Sequence, residues 1–299
     1  MKRRTFVAAA FALAAAPCAA QGAPHVTRFE RGLLWRIARK GAAPSPGPSY
    51  VYGTIHVADA RLKELPEAVR GALHASRLLM LEFLPDAISR GRFLEAATLA
   101  EGQTLEQLIG AADFELAAAS LSAAGLAREQ VNRLKPWAVL LNLRAAAPAD
   151  AAPLDSQLAA AAQARRLPIE QLEGVEEQIF TFDEMPPEAQ IALLRHGLAH
   201  RAELEELARR TLEAYLQGDL AAIWRRREEY KVRYPALVAY QDLMTKRVVH
   251  DRSVVMAFRM QRALRHGQAF VALGALHLYG RQGVLALLEQ DGYRASRVA

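Results

Sequence analysis

The chain has 299 residues, of which 52% are hydrophobic and 23% charged, with only 18 Gly and 14 Pro and a mean hydropathy of −0.01. That composition excludes a disordered, collagen-like or polytopic membrane protein, and the length is enough for one large α/β domain with a sizeable core. A single Cys excludes a disulfide framework. The net charge of +6 and the pI of about 9.6 point first to an anionic partner, but Lys2, Arg3 and Arg4 at the extreme N-terminus supply half of that charge.

Those basic residues precede an uncharged run from Phe6 to Ala16 and then Pro17-Cys18-Ala19-Ala20, the n-region, h-region and small-residue cleavage pattern of a secretory signal. The run is too short for the ~20 residues of a spanning helix. The expectation is therefore a signal peptide over residues 1–20, cleavage after Ala20, and a periplasmic or secreted mature chain without a membrane span. Lipid anchoring at Cys18 is disfavoured, because Pro17 stands where a small residue is expected. Arg3-Arg4-Thr5-Phe6 also resembles a twin-arginine signal, so the export route stays open. Once Cys18 is removed no thiol remains, and any metal site must use imidazole, carboxylate or water ligands.

In chain order, Leu33–Ala38 and Ser49–Val57 read as two strands joined in hairpin fashion across a Gly/Pro/Ser turn. Pro66 and Glu67 open a helix that runs to about Ala75. Arg77–Leu84 is a nearly continuous apolar run, the pattern of a strand buried on both faces. Strand, helix, strand begins a parallel sheet. From about residue 86 to 265 the composition turns helical, interrupted by a short βα unit over 153–173. Within that block Gly218-Asp219 suits a C-cap followed at once by an N-cap. Ala269–His277 reads as a further strand, Gly280–Gln290 as a helix and Tyr293–Val298 as the last strand. The predicted fold, a single domain over residues 21–299, is α/β: a central mixed sheet of two related βα units with a large helical insertion over roughly 86–265.

One local pattern occurs twice, Gly53-Thr54-Ile55-His56 and Gly274-Ala275-Leu276-His277, each at the end of a predicted strand. In parallel sheets functional groups gather outside the carboxyl ends of the strands, where a Gly permits close backbone approach. The buried strand Leu78–Leu84 carries one carboxylate, Glu82, whose unpaired burial would be costly and which therefore calls for a metal, a histidine or an arginine.

The two G-x-x-H motifs with Leu81-Glu82-Phe83 between them resemble the TraB/GumN family, relatives of the Tiki proteins and of erythromycin esterase. Further family features follow in order: Lys135-Pro136-Trp137, Leu154-Asp155 with Leu158 and Ala162, Leu172-Glu173 with Gln178, Gly218-Asp219, Arg252, and His277-Leu278 before Gly280 and Gly283. The resemblance covers nearly the whole mature chain and implies a hydrolase on a paired-repeat α/β core; Tiki members are regarded as divalent-metal-dependent proteases. It maps His56 and His277 to the motif histidines, Glu82 to the acidic position and Arg252 to the arginine on the helix before the last motif. Three positions depart from the family pattern: Ser253 replaces the usual Asn, Pro153 a Gly and Gly174 a Thr.

These residues imply a metal-assisted hydrolase in which His56, Glu82 and His277 hold a divalent ion (Mn, Co or Zn), Glu82 acting as ligand or general base. Arg252 would stabilise an oxyanion or orient Glu82. Without a metal, a His-Glu pair itself suits general-base attack by water. The plainer reading makes the histidines strand-end residues bonded to carbonyls, with Glu82 and Arg252 a structural ion pair. The substrate would be a peptide or small molecule; the alternative function is a catalytically silent periplasmic binding or accessory protein on the same scaffold.

Other candidates are weaker. His196 and His200 are spaced i, i+4, but Gly197-Leu198-Ala199 lacks the Glu of an H-E-x-x-H site, so a solvated helix face is expected. His74, His250 and His266 are expected to be exposed. Arg225-Arg226-Arg227 is followed at once by Glu228-Glu229, which argues against nucleic acid. No G-x-S-x-G, Walker or Rossmann fingerprint appears in the sequence.

Overall fold

The computed structural model describes residues 27–41, 47–57, 59–84, 86–122, 125–144 and 152–299. The leader read from the sequence lies outside the described residues.

The sheet has six strands: β1 (Leu34–Arg39), β2 (Ser49–Thr54), β3 (Leu78–Leu81), β4 (Ile169–Gln171), β5 (Ala269–Gly274) and β6 (Tyr293–Arg297), in the order β4-β3-β5-β2-β1-β6. The predicted hairpin is present, with β1 antiparallel to β2 and Leu34 opposite Tyr52. The other edge of β1 pairs antiparallel with β6. β2 and β3 flank β5 in parallel, and β3 pairs parallel with β4. The sheet is therefore mixed, as the sequence predicts, with its carboxyl ends collected on one edge for β2, β3, β4 and β5.

β5 explains this arrangement in miniature. All six of its residues, Ala-Phe-Val-Ala-Leu-Gly, are buried. A run without polar alternation can be satisfied only between two covering layers and two neighbouring strands. Register then fixes the site. Leu81 lies opposite Ala272 and Thr54 opposite Gly274, so the residues just beyond β3 and β2 meet the end of β5.

Strand ends are the main difference from the sequence reading. β2 stops at Thr54, leaving His56 in the following loop, and β3 stops at Leu81, one residue before Glu82. The predicted strand through His277 ends at Gly274 and turns into a 3-10 helix, Ala275–His277. An apolar run does not distinguish a strand from a tight turn that is also buried. The helix expected from Gly280 begins at Val284.

The buried apolar residues form two clusters. One lies on the sheet and contains Phe270, Leu79, Val51, Met256 and Met260. The other lies among the inserted helices around Trp137, whose ring stacks on Phe182 at 5.7 Å and meets Phe93 edge-on at 5.3 Å. The Lys135-Pro136-Trp137 feature has a physical role here: Lys135 Nζ and Trp137 Nε1 both donate to Asp183 Oδ1, at 2.7 and 2.9 Å.

A helix connects the two clusters. Val238–Thr245 buries Met244 in the insertion, Arg252–His266 buries Met256 and Met260 against the sheet, and a π-helical turn, Lys246–Asp251, joins them. Gly218 takes φ 64°, a left-handed value suited to Gly, and Asp219 Oδ1 caps the next helix by accepting from Ala222 N at 2.8 Å, as the sequence predicts.

Candidate functional site

Four chain segments leave the sheet at neighbouring carboxyl ends, carrying His56, Glu82, Glu173 and His277; Arg252 arrives from the first turn of Arg252–His266. The structure thus brings together all four residues singled out in the sequence, His56, Glu82, Arg252 and His277, and adds Asp155, Glu173 and Ser253.

Glu82 is the common partner. Its Oε1 accepts from Arg252 Nη2, and its Oε2 accepts from Gly274 N at 2.8 Å. The same Oε2 lies 3.8 Å from His56 Nε2 and 3.9 Å from His277 Nε2. Gly274 leaves room here: a Cβ would stand 3.3 Å from Glu82 Oε2, close enough to press on the carboxylate, and 3.5 Å from His56 Nε2.

Each imidazole is fixed through its other nitrogen. His56 Nδ1 meets Asp155 Oδ2 at 3.0 Å, and Thr54 Oγ1 donates to Asp155 Oδ1 at 3.0 Å. His277 Nδ1 lies 2.9 Å from Ser253 Oγ and 3.2 Å from Val249 O, while Ser253 Oγ donates to Val249 O at 2.7 Å. The serine proton is thereby committed to the carbonyl, so His277 donates from Nδ1 and keeps the Nε2 lone pair towards Glu82. The π turn makes this possible, since it presents the Val249 carbonyl to both partners. Ser253, a departure from the family pattern, is thus part of the site.

Arg252 serves two carboxylates. Its Nε lies 2.9 and 3.0 Å from the two oxygens of Glu173 and its Nη2 2.6 Å from Glu173 Oε2, while Gln178 Nε2 donates to the same oxygen at 2.6 Å. Glu82, Glu173, Arg252, Asp155 and His277 are all buried. With Glu82 and Glu173 on one guanidinium and Asp155 on His56, carboxylates outnumber guanidinium groups in the site.

The titration shifts follow from that imbalance. Burial opposes ionisation of Glu82, but His56, His277 and Arg252 hold it well below the usual carboxylate range. Burial, with the neighbouring Glu82 charge, pushes Glu173 up against the pull of Arg252. Burial pushes His277 down to about 4 despite Glu82. For His56 burial acts downward, yet the bonds to Asp155 and Glu82 prevail and raise it to about 10. Its side chain is 59% exposed, so water screens part of that pull.

A divalent ion suits these residues in kind: two imidazole nitrogens and one carboxylate oxygen converge, each imidazole is anchored by an acceptor, and carboxylates outnumber guanidinium groups. At bond lengths of about 2.0–2.2 Å, donors 3.8 and 3.9 Å apart share an ion only at wide angles. Among the described residues no group of three or more His, Cys, Asp or Glu side chains is drawn together as a ready-made cage.

Two of the added residues left a trace in the sequence. Asp155 is the one charge on the apolar stripe of Leu154–Ala164, beside Leu158, Ala159 and Ala162. Glu173 repeats Glu82: both follow a Leu at the end of a parallel strand. Ser253 gives no such sign. His196 and His200, expected on a solvated face, instead lie with tilted rings 4.4 Å apart in a half-buried cluster with Tyr230 and Tyr234, far in the chain from the strand ends. His250 is likewise half-buried and stacks on Trp224, whereas His74 and His266 are exposed as expected.

The fold and site define an α/β protein with a buried, acid-rich polar site at the carboxyl ends of parallel strands. The sequence model of the TraB/PrgY/gumN family matches residues 33–297, and the chain belongs to that family. No curated protein and no solved structure matches it.

Proposed function

We propose that the protein is an exported, metal-dependent hydrolase of peptides or small molecules, with His56, Glu82 and His277 as the ion-holding set. The observation that carries this reading is that both imidazole Nε2 atoms face one oxygen of Glu82 while acceptors hold their Nδ1 atoms. A bound divalent ion would supply Lewis acidity and lower the pKa of a bound water to about 7. The chain's own residues do the rest. Asp155 orients His56, and Ser253 with Val249 O orients His277, so both Nε2 atoms are held towards Glu82; His277 presents its lone pair directly, and His56 would give up its Nε2 proton to hold an ion. Arg252 keeps Glu82 ionised and fixes its Oε1, which turns Oε2 towards the two imidazoles.

The wide donor spacing favours a second reading, in which the Asp155–His56 pair and Glu82 move the proton without an ion. Metal content of the purified full chain and hydrolysis of a panel of peptides and esters, before and after chelation, test both. The first reading expects a stoichiometric ion and chelation-sensitive hydrolysis, both lost in His56→Ala, His277→Ala and Glu82→Gln. Hydrolysis that survives chelation but not His56→Ala selects the second. Neither ion nor hydrolysis in the parent protein would leave the binding or accessory role. Export is tested separately: N-terminal sequencing of periplasmic material should begin at Gln21.

A further inference from the structure

The helix Arg252–His266 has an inner face, with Met256, Met260 and Leu264 buried against the sheet. Its outer face is unlike an ordinary solvated one. Val254 is 53% exposed, Val255 37% and Phe258 77%, and the same stripe continues at i+8 and i+11 with Arg262 and Arg265. Large apolar side chains thus occupy the first half of the outward stripe and guanidinium groups the second.

The adjoining helix, Val175–Asp183, extends this surface. Arg259 clamps it through Glu177 at 2.7 Å from each guanidinium nitrogen, and Arg247 donates to the Phe180 carbonyl at 2.6 Å. Phe180 is itself 59% exposed, with the Arg247 guanidinium 5.2 Å from its ring centroid. Carboxylates on these elements are already engaged: Glu177 by Arg259, Glu176 by Arg92 and Asp251 by Lys246. Arg262 and Arg265 have no ion-pair partner among the described residues. The unspent charge on this face is positive.

We propose that this face docks on an anionic lipid bilayer, with Val254, Val255, Phe258 and Phe180 at the boundary of headgroups and acyl chains and Arg262 and Arg265 on lipid phosphates. An apolar-and-basic helix face is the chemistry of interfacial attachment, in which buried apolar area and attraction to anionic headgroups add. The attachment is peripheral, since among the described residues no helix is long and apolar enough to cross a membrane. A second copy of the chain fits less well. Two such helices packed antiparallel about Phe258 would set Arg262 of each against Val254 of the other, a charge on an apolar group.

Co-sedimentation of the full chain with vesicles tests this, comparing vesicles that contain phosphatidylglycerol with vesicles of phosphatidylcholine alone. The expected partition is at least about tenfold higher on the anionic vesicles. Phe258→Asp should lower it about tenfold, and the double variant Arg262→Glu, Arg265→Glu about 30-fold on the anionic vesicles only. Thermal unfolding should be unchanged in both variants, because these side chains bury little. Equal partition into the two vesicle types overturns the proposal. So does binding untouched by both variants, which would place the contact elsewhere in the chain, including its apolar N-terminal run. A lipid-free dimer abolished by Phe258→Asp would assign the face to self-association instead.

Discussion

Glu82 is buried at the end of β3 and yet ionised, and the groups that make this tolerable also set the protein's response to pH. Its stabilising contribution is present above the unfolded-state value of 4.5 and is lost as pH falls below it. His277 reinforces that acid limb: between 6.5 and about 4 the unfolded chain takes up a proton that the folded one refuses, so stability falls as pH drops through that window. His56 acts in the opposite sense. Its contribution is complete below 6.5 and is lost as pH rises towards 10, on a limb made shallower by exposure of the ring. Urea unfolding midpoints across this range should therefore peak near neutrality. His56→Ala should flatten the alkaline limb and, because His56 helps hold Glu82 down, also weaken the acid limb; an alkaline limb unaltered by that substitution would contradict the His56 assignment. Glu82 was legible in the sequence because a lone carboxylate in an apolar strand demands partners. Ser253 was not, because a small hydroxyl fits almost any buried position.

At the scale of elements, Arg252 pins the ends of β3 and β4 to the helix it begins. Arg252→Met would leave Glu82 and Glu173 buried side by side without the guanidinium between them. The expected cost is about 3–5 kcal/mol near neutral pH, far more than for breaking the exposed Arg128–Glu115 pair. The loss should shrink in mild acid, as one carboxylate takes a proton. Denaturant unfolding at two pH values measures it, and a loss near the surface-pair value at both would show that water already reaches the pair. The strands themselves were readable from period and apolar runs, since β5 admits no other environment. Their last residues were not, because the 3-10 turn that carries His277 is as apolar and as buried as the strand before it. Asp155 and Glu173 were visible as residues but not as partners, since pairing Asp155 with His56 depends on where Leu154–Ala164 crosses the sheet.

Across the whole molecule, one continuous helix serves two cores, and the π turn sits where it passes from one to the other. Such a turn holds more residues than an α-helical ladder of the same length. Its effect is to take up one extra residue while keeping Met244 on one side and Met256 and Met260 on the other in phase with their two cores. Removing one residue, Val248 for instance, would let the backbone close as regular α-helix with the downstream face nearly in place, because one residue fewer at the tighter α-helical turn sweeps almost the same angle. What would be lost is the local geometry that offers the Val249 carbonyl to Ser253 and His277. Val248→Ala keeps the count and should cost no more than about 1 kcal/mol, and the deletion should still unfold cooperatively while releasing the His277 ring from its acceptor. A deletion variant that no longer unfolds cooperatively would contradict this. At this turn the sequence carries information as a number of residues rather than as their identity.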